Sequence, residues 1–557
     1  MYLLYIFLDS LIFFISYLLI FISISGYGMA FSSITQHNTK NIFDYYFFGF
    51  PILIILSFII YLTIGFSEYT NLFFMLLGII FYIKNNNINY FSLFFITLFF
   101  LGVVISKSHD DFLGYHFQFI KEIYNSDKYI GIANLDFRYS YSSALAYVQA
   151  LFKFPFFDYK FIQIPIYLLY VSFIGYLFTS INFTKDKIFS YLKLVLIFLL
   201  MIKFHRFSKH GYDFAGQFIS LLIFLKLFEN QNNFFKEKLL IIYLFIFLIL
   251  IKLNNIILFP ILLLLLKKEN IISIIKNVKD NKIYTLIIFL MITLFFVNNF
   301  IKSGCLFINN KDSCFSKDII SWALSSSDFL INFNGRLYDY VELVEIWSKA
   351  FFTQNYLDKD SYLNFSDFTW IKYWFKNHFI YRISDFLFIF IIINIFLLFF
   401  FRNNFFFNLK KNYIVLIPLS FVIILMWFLK IPEFRFGFGY ILIFIISILV
   451  TFVNFNVNIN KNFLTVSFLF LLIFFNSKNL LRIYDSLNNY KETNFKNFPW
   501  FNLVDSSNYS IIELKDNFRF YTPNNHNSCT NLPTPCSLNL NVKFNKKFIY
   551  TIISKSD

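Results

Sequence analysis

The sequence predicts an all-α membrane protein with about fourteen transmembrane helices, because apolar runs recur along most of the chain. Of its 557 residues, 58% are hydrophobic and only 14% are charged. A soluble protein of this size needs more polar side chains to cover its surface. The net charge of +16 lies mostly in short loops between apolar runs, so we expect membrane lipid as a partner and no nucleic acid.

The expected spans are set by length, since a helix needs about 20 residues to cross the hydrocarbon core of a bilayer. The first run begins without the basic segment of a cleaved signal peptide, so we expect it to be retained. Three runs are short and are expected to be tilted, half-inserted or packed against neighbours, namely 70–84, 255–267 and 462–476. The full set is 2–25, 44–65, 70–84, 89–105, 161–179, 188–203, 214–229, 237–253, 255–267, 283–301, 382–401, 413–430, 436–453 and 462–476.

Basic residues set the expected orientation of these spans. When the loop after residue 105 is placed outside, the inner loops carry more Lys and Arg than the short outer loops. A polytopic transmembrane domain, 1–476, then carries two large outer loops, 106–160 and 302–381. A small extracytoplasmic C-terminal region, 477–557, follows, and its prolines and alternating residues predict loops with a few short strands.

Helices on the outer face are predicted within the first outer loop. The stretch 109–124 has one apolar side, and 141–153 also has helical character, so both are expected to lie flat on the membrane surface. The apolar side of the first helix consists of Phe112, Phe119, Ile120 and Ile123.

The four cysteines form two close pairs, Cys305 with Cys314 and Cys529 with Cys536. Both pairs fall in segments that the expected orientation places outside, where an oxidising environment permits disulfides. Four free thiols are the alternative. Metal binding is disfavoured, because neither pair has the spacing of a zinc site.

The most informative polar stretch is 108–116, which directly follows a predicted span. It holds two adjacent carboxylates and two imidazoles, which are costly to keep at a membrane surface without a partner or a task. One acid is expected to act as a general base, with the other orienting it or holding a divalent metal ion. A capped helix start is the compatible alternative. The candidate residues are His109, Asp110, Asp111, Tyr115 and His116.

A second constellation joins two predicted spans on the outer side, where positive charge opposes the usual bias. Arg206 and Lys209 could hold a phosphate or pyrophosphate, and Asp213 could orient one of them or coordinate a metal ion. Ordinary snorkelling of basic side chains at the interface is the alternative. His210 and Gln217 belong to the same stretch.

A third constellation lies at another outer junction. Pro432 would break or start a helix, while Gly437 and Gly439 allow close approach of backbones. Arg435 enters a span and needs a partner, which a substrate phosphate or Glu433 would supply. A purely structural pair between Glu433 and Arg435 is the alternative.

Weaker candidates are Asp136 with Arg138 in the first outer loop, and Lys252 at another outer turn. The sequence contains no P-loop and no GxGxxG, HExxH or GxSxG motif. Soluble nucleotide chemistry therefore has no support.

Together these stretches resemble the GT-C superfamily, whose members are multi-spanning glycosyltransferases that take sugars from polyprenyl-phosphate carriers. Its members place an acidic residue or pair in the first large outer loop, which Asp110 and Asp111 match. The chain is also similar to an uncharacterised bacterial branch met near surface-polysaccharide genes. The matching stretches are Asp110-Asp111-Phe112 with Tyr115-His116, Gly131 through Leu135, Arg138 with Ser142-Ser143, Arg206 through Asp213 with Gly216-Gln217, Ser303-Gly304-Cys305 with Cys314 and Trp322, Pro432 through Gly437, and Cys529 with Pro535-Cys536.

The resemblance implies an inverting glycosyltransferase of the bacterial cytoplasmic membrane, with its active site facing the periplasm or exterior. The donor would be a polyprenyl-phosphate-linked sugar, and the acceptor a glycan, lipid or surface protein. Asp110 or Asp111 would activate the acceptor, and the phosphate would be held by Arg206, Lys209 or Arg435. Two alternatives stay open, a transporter or flippase for lipid-linked saccharides and a polymerase or ligase that joins them.

Overall fold

A computed structural model gives the architecture of the chain. It describes residues 2–37, 39, 41–85, 90–105, 111–125, 128–154, 159, 161–183, 187–207, 211–229, 234–266, 278, 281–308, 310–333, 336–350, 368, 370–401, 405–455, 461–488, 509–514, 518–524, 529 and 532–555. These residues are mostly helical, which confirms the all-α class in its coarse form.

Apolar runs and helix-favouring leucines place most described residues in helices. The α-helices are α1 (Tyr2–Thr35), α2 (Asp44–Leu62), α3 (Glu68–Lys84), α4 (Tyr90–Thr97), α5 (Phe100–Ile105), α6 (Phe117–Asn125), α7 (Leu145–Leu151), α8 (Ile164–Thr179), α9 (Lys187–Ile202), α10 (Phe204–Phe207), α11 (Asp213–Glu229), α12 (Phe234–Ile251), α13 (Phe259–Leu262), α14 (Lys282–Ser303), α15 (Tyr340–Ala350), α16 (Trp370–Trp374), α17 (Ser384–Phe401), α18 (Leu416–Lys430), α19 (Phe434–Phe452) and α20 (Lys461–Asn488). Two π-helical segments, Phe112–His116 and Phe375–Ile383, lead into α6 and α17.

Short strands form local hairpins and, in two pairings, join parts of the chain that are far apart in sequence. They are β1 (Tyr129–Ile130), β2 (Leu330–Phe333), β3 (Arg336–Asp339), β4 (Phe405–Phe407), β5 (Val453–Phe455), β6 (Tyr509–Glu513), β7 (Arg519–Pro523), β8 (Val542–Lys547) and β9 (Tyr550–Lys555). The strands β8 and β9 form an antiparallel hairpin, and β1 adds to β9 in parallel. The sheet therefore fastens the C-terminal region to the first large loop. The few short strands expected in 477–557 are present, and they are β6, β7, β8 and β9.

Six helices among the described residues are long and apolar enough to cross a membrane. They are Leu8–Thr35, Asp44–Leu62, Lys282–Ser303, Trp370–Phe399, Phe434–Phe452 and Asn462–Asp485. Shorter apolar helices of 10–17 residues are Tyr90–Ile105, Ile164–Thr179, Lys238–Ile251, Leu253–Leu265 and Leu416–Lys430. The helices thus have the character expected of a membrane protein, with fewer full-length spans than the fourteen expected.

Some boundaries differ from the expected ones for local reasons. The run 255–267 is a one-turn α13 between 3₁₀ segments, Leu253–Leu258 and Leu263–Leu266, and Pro260 in its first turn lacks a backbone donor. Helix α1 extends to Thr35 instead of residue 25. Helix α20 continues to Asn488, so the domain boundary expected at residue 476 falls inside a helix.

Close helix packing builds the core around α1, α2 and α3. A Cβ atom added at Gly26 would lie 1.9 Å from the carbonyl oxygen of Gly78, and one at Gly28 would lie 1.8 Å from that of Tyr45. Another at Gly49 would lie 1.9 Å from the carbonyl oxygen of Ile24. Only glycine permits backbones to approach this closely, as is common among membrane helices.

One end of the bundle gathers the loops that were expected outside. Helices α9, α12 and α18 end there, and α11, α17 and α19 begin there. Two ion pairs between these helix ends, Lys203 with Asp385 and Lys252 with Asp213, show that the ends lie together. Arg435, in the first turn of α19, reaches Asp111 at the same end. We refer to this end as the site end.

The helix expected to lie on the membrane surface is instead covered on both sides. Phe117 through Ile123 of α6 are all buried, including Gln118, Lys121 and Glu122. The Nζ of Lys121 donates to the carbonyl oxygen of Leu532 at 2.7 Å. The backbone N–H of Cys536 donates to Oε1 of Glu122 at 2.9 Å. The C-terminal region therefore replaces membrane on the polar side of α6, where polar groups need partners.

Both cysteine pairs are disulfides in the structure. Cys305 and Cys314 are joined in the loop that follows α14, and Cys529 and Cys536 close the loop that contacts α6. Each bond closes a short loop on the site end. The free-thiol alternative is therefore not what the structure contains.

Candidate functional site

Four charged residues from distant parts of the chain meet at the site end. Nη1 of Arg435 donates to Oδ2 of Asp111 at 2.8 Å, and its Nε lies 3.5 Å from Oδ2 of Asp213. Nζ of Lys252 donates to Oδ1 of Asp213 at 2.6 Å. We call Asp111, Asp213, Lys252 and Arg435 the Asp111 cluster.

Each member of this cluster lies at or next to the end of a helical segment. Asp111 immediately precedes the π-helical segment Phe112–His116, and Asp213 is the first residue of α11, where its charge complements the helix dipole. Lys252 follows the last residue of α12. Pro432 and Glu433 precede α19, so Arg435 enters its first turn as the sequence predicted.

The cluster balances two carboxylates against two cations, which makes burial of Arg435 and Asp213 tolerable. Their side chains are each 12% exposed, whereas that of Asp111 is 36% exposed. The guanidinium of Arg435 also lies over the rings of Trp347 and Phe436, at 5.0 and 4.8 Å from their centroids. Asp111 is therefore the acid of the cluster that an external molecule can reach most readily.

Two tyrosines stand beside the cluster and stay neutral at ordinary pH. Burial raises the pKa of Tyr340 to about 12, with the cation of Arg138 opposing that rise and the charge of Asp111 adding to it. Burial and the charge of Asp111 raise the pKa of Tyr115 well above its ordinary value. Both phenols can therefore donate hydrogen bonds here, but neither suits the role of a base.

Arg138 borders the cluster through Tyr115, since its guanidinium lies 5.5 Å from that ring centroid. The same guanidinium is held by Asp136, with Nη2 2.6 Å from Oδ2 and Nε 3.0 Å from Oδ1. Both lie at the start of the 3₁₀ segment Phe137–Tyr141, where Asp136 also caps the backbone N–H of Arg138. The pair of Asp136 with Arg138 therefore stabilises the fold of its own loop.

His116 is buried, with its ring against Tyr115 and Tyr212 at centroid distances of 4.0 and 4.5 Å. The hydroxyl of Tyr212 donates to Oε1 of Gln149 at 2.6 Å. This aromatic layer lies directly beneath the polar cluster. It ties the segment after Asp111 to the start of α11.

A second charged group surrounds Glu433. Oε2 of Glu433 lies 2.8 Å from Nδ1 of His378, and its Oε1 accepts from Nη1 of Arg382. Burial alone would raise the pKa of Glu433, but the hydrogen bond from His378 and the charge of Arg382 lower it below its ordinary value. Glu433 is therefore a buried anion whose charge is compensated. Arg435 contacts Asp111 and Asp213, whereas Glu433 pairs with His378 and Arg382. The structural pair of Glu433 with Arg435 weighed from the sequence is therefore not among the ion pairs of the described residues.

Arg206 belongs to this second group. Its Nη1 donates to the carbonyl oxygen of Arg382 at 3.1 Å, and its Nη2 lies 3.4 Å from Oδ2 of Asp385. Nζ of Lys203 lies 2.5 Å from the same carboxylate oxygen. We call Lys203, Arg206, His378, Arg382, Asp385 and Glu433 the Arg206 cluster. Its three cations outnumber its two acids, so it presents net positive charge when His378 is neutral.

Gln217 cross-links two helices. Its Nε2 donates to the carbonyl oxygen of Phe436 at 2.9 Å, and its Oε1 accepts from the backbone N–H of Gly439 at 3.0 Å. A Cβ atom at Gly437 would lie 2.1 Å from Cε2 of Trp427. The two glycines therefore permit the close approach that the sequence predicted. Gln217 acts in helix packing and not in the Asp111 cluster.

The structure divides the expected site residues into two groups. Asp111, Asp213 and Arg435 share one cluster, whereas Arg206 and Glu433 share the neighbouring one. Four expected residues, His109, Asp110, Lys209 and His210, lie outside the described residues. Within the described ranges, no group of three or more His, Cys, Asp or Glu residues could hold a metal ion. The divalent metal expected at Asp110 and Asp111 therefore stays a prediction.

Sequence reasoning missed several residues of the Arg206 cluster. His378, Arg382 and Asp385 stand at the start of an apolar run, where a mixed group of charges could have indicated a second polar junction. Trp347 and Tyr340 carry no such signal, because aromatic residues occur throughout this chain. Their place beside Arg435 depends on how α15 folds back over the site end.

Comparison with known proteins places the chain in a protein family of unknown function. No curated protein and no solved structure matches the chain significantly. The family described as Domain of unknown function (DUF8201) matches residues 11–308, more than half of the chain. That region contains Asp111, Asp213 and Lys252 but ends before Arg435. On this match, the chain belongs to the DUF8201 family.

Proposed function

We propose that this chain is an integral membrane glycosyltransferase that resembles the GT-C superfamily. It moves a sugar from a polyprenyl-phosphate carrier to a glycan or lipid acceptor of the cell surface. The observation that carries the proposal is the Asp111 cluster, in which residues separated by up to 324 positions meet at one end of the bundle. Such a group of charges beside apolar spans is costly unless it serves a task.

In this reaction Asp111 acts as the general base. Its carboxylate removes the proton from an acceptor hydroxyl while the hydroxyl oxygen attacks the anomeric carbon, and the bond from that carbon to the phosphate oxygen breaks. The departing phosphate keeps the electron pair of the broken bond. The acceptor oxygen attacks from the face opposite the phosphate, so the configuration at the anomeric carbon inverts. The greater exposure of Asp111 than of Asp213 supports this choice.

The Arg206 cluster is the proposed phosphate site. Charge on the phosphate grows as its bond to the sugar breaks, so nearby cations stabilise the transition state more than the bound donor. Lys203, Arg206 and Arg382 supply three such cations, and only one residue, Phe434, lies between Glu433 of this cluster and Arg435 of the other. The base and the leaving group can thus be served by adjacent clusters.

The finer topology is part of the same proposal. We place the site end on the extracytoplasmic side of a bacterial cytoplasmic membrane, with about fourteen membrane segments and the C-terminal region, 477–557, on that side. The helices that are too short to span alone are then tilted or half-inserted. The two disulfides support this side, because disulfides persist in oxidising compartments.

A transporter of lipid-linked saccharides is the second candidate, and one observation favours it. Nζ of Lys226 lies 2.9 Å from Oδ1 of Asp44, and both side chains are almost fully buried. This pair lies near the other end of α11 from Asp213, roughly 20 Å away at 1.5 Å per residue. Ionisable residues that are buried and paired among membrane helices often mark substrate or ion pathways.

One experiment separates the two functions. Purified chain is reconstituted in vesicles with lipid extracts that contain lipid-linked saccharides, and both new glycosidic bonds and movement across the membrane are measured. We expect bond formation, and we expect Asp111→Asn to lower its rate by about 10²-fold or more, because a general base contributes that much. The matched control, Asp312→Asn, changes an exposed acid on the same end and should retain full activity.

Asp110→Asn tests the neighbouring acid in the same assay, and a chelator tests the predicted metal ion. Full activity in both Asp110→Asn and Asp111→Asn would exclude the general base. Movement of the saccharide without a new bond would favour the transporter. Folding of each variant is checked by its melting temperature.

A further inference from the structure

The turn between β8 and β9 carries exposed apolar side chains flanked by lysines. Phe548 is 97% exposed and Ile549 is 51% exposed, although both are hydrophobic. Lys546 and Lys547 precede them and are also exposed. We call Lys546 through Tyr550 the hairpin tip. Apolar residues beside basic ones are typical of surfaces that enter the interfacial layer of a membrane.

The backbone conformation of the turn does not favour a phenylalanine at position 548. Lys547 pairs with Tyr550, so Phe548 and Ile549 form a two-residue turn. Phe548 adopts a φ of 55°, a region in which Asn or Gly is favoured and bulky residues are rare. Local conformation therefore opposes an aromatic residue here, and a contact outside the chain would explain its presence.

The hairpin tip lies level with the end of a candidate membrane span. The hydroxyl of Tyr550 donates to the carbonyl oxygen of Leu62, the last residue of α2, at 2.8 Å. The hydroxyl of Tyr61 donates to the carbonyl oxygen of Tyr129 in β1, the strand that pairs with β9. The end of a span marks the boundary between hydrocarbon and headgroups.

The end of the hairpin opposite the tip contacts two other outer loops of the chain. Lys555, at the far end of β9, pairs with Asp328, and the backbone N–H of Leu538 donates to the carbonyl oxygen of Leu135. The far end of the hairpin therefore rests on protein, whereas the tip stands at the edge of α2. Two residues that follow α2 in the sequence, Ile64 and Tyr69, are also highly exposed.

We propose that the hairpin tip inserts Phe548 and Ile549 into the interfacial layer of the membrane around α2, with Lys546 and Lys547 at acidic lipid headgroups. The inserted tip anchors the C-terminal sheet at the edge of the bundle. This inference rests on the chain spanning a bilayer, which is part of the proposed function, and not on any transferase activity.

The test places an environment-sensitive fluorophore on a single added cysteine, which reacts selectively because the four natural cysteines form disulfides. Phe548→Cys is labelled in the full chain, reconstituted in vesicles that carry spin-labelled lipids. We expect strong quenching by spin labels near the headgroup and weaker quenching by labels deep in the acyl chains. The control is Leu540→Cys, which is 60% exposed at the opposite end of the hairpin. It should be quenched little.

A third variant separates failure of this inference from failure of the membrane assignment. Phe289 of α14 is 62% exposed within a candidate span, so a label at Phe289→Cys should be quenched by deep spin labels. If the label at 289 is quenched but the labels at 540 and 548 are both quenched weakly and equally, the inference about the hairpin tip is wrong while the membrane assignment stands. No quenching at 289 would remove the membrane assignment on which it rests. A label at 548 that is shielded in native membranes but unquenched by lipid would assign the tip to a protein partner instead.

The lysines are tested by lipid charge. Quenching at 548 should be roughly twofold stronger with phosphatidylglycerol than with phosphatidylcholine, since each lysine near an acidic surface adds attraction. The difference should vanish at about 1 M salt, where the Debye length is only about 3 Å. It should also vanish in the double variant Lys546→Gln, Lys547→Gln, while Lys543→Gln, farther along β8, should keep it. Equal quenching in both lipids would exclude the headgroup role of the lysines.

Discussion

At the scale of single residues, the charges of the Asp111 cluster and of the Arg206 cluster are compensated by opposite charges close to them. Arg435 is the central case, because it contacts two carboxylates while only 12% of its side chain is exposed. Its fork of donors suits this arrangement, which a single ammonium could not reproduce. The residue was recognised in the sequence from its position at the start of a span.

Arg435→Gln is therefore expected to destabilise the chain. The change removes the cation that contacts Asp111, while Asp213 keeps its pair with Lys252. Breaking a buried ion pair by removing one partner costs about 3–5 kcal/mol, and the partial exposure of Asp111 lowers that cost here. Thermal unfolding in detergent should show a clearly lower melting temperature. Arg519→Gln, at an exposed position of β7, is the matched control and should change stability by no more than about 0.5 kcal/mol. Equal melting temperatures for the two variants would contradict the ion-pair account.

At the scale of elements, the contact between α6 and the C-terminal disulfide loop is the least expected feature. Two titratable groups among the described residues interact with Glu122, the ammonium of Lys121 on the same helix and the neutral phenol of Tyr139. Burial raises the pKa of Glu122 from 4.5 to about 7, although hydrogen bonds from Cys536 and Gln118 oppose the rise. The protonation of this one buried acid is therefore coupled to the stability of the folded chain.

The sign of the resulting pH dependence follows from this raised pKa. Between about pH 4.5 and about pH 7 the folded state binds more protons than the unfolded state, so stability falls as pH rises through that window and then levels off. The melting temperature should be higher at about pH 5 than at about pH 8 from this group. Glu122→Gln should flatten the difference, whereas Glu513→Gln, on exposed β6, should preserve it. An unchanged profile in Glu122→Gln would exclude this acid as the cause.

At the scale of the whole molecule, the arrangement of helix ends predicts which loops face each side of the membrane. The loop that contains Asp312 follows α14 at the site end, whereas Lys411 lies between α17 and α18 at the other end. Both residues are exposed. In the proposed orientation, the first faces the exterior and the second faces the cytoplasm.

A membrane-impermeant thiol reagent checks that arrangement. We expect it to label Asp312→Cys in intact cells, and to label Lys411→Cys only after the membrane is permeabilised, because a charged reagent cannot cross the hydrocarbon core. Labelling of both variants in intact cells would contradict the separation of the two ends. Labelling of residue 411 alone would reverse the proposed orientation.

The sequence indicated much of the polar framework of the site. Arg435 with Pro432, Gly437 and Gly439 was predicted as a helix start with close packing, and both features are present. The partner of Arg435 was not predictable, since Glu433 is near in sequence but Asp111 is the residue that folds against it. The cover over α6 was also missed, because an apolar stripe does not reveal whether its polar side faces water, lipid or protein.

The sequence by itself determined the helical membrane character, the polar junctions at helix ends and the pairing of cysteines close together in the chain. These depend on composition and on local spacing, which act over a few residues. Only the tertiary structure decided that Asp111 meets Arg435 while Arg206 joins Arg382 and Asp385, and that the C-terminal sheet closes over the first large loop. Such contacts depend on how helices pack across the whole bundle, where many partners of equal charge compete and geometry selects one.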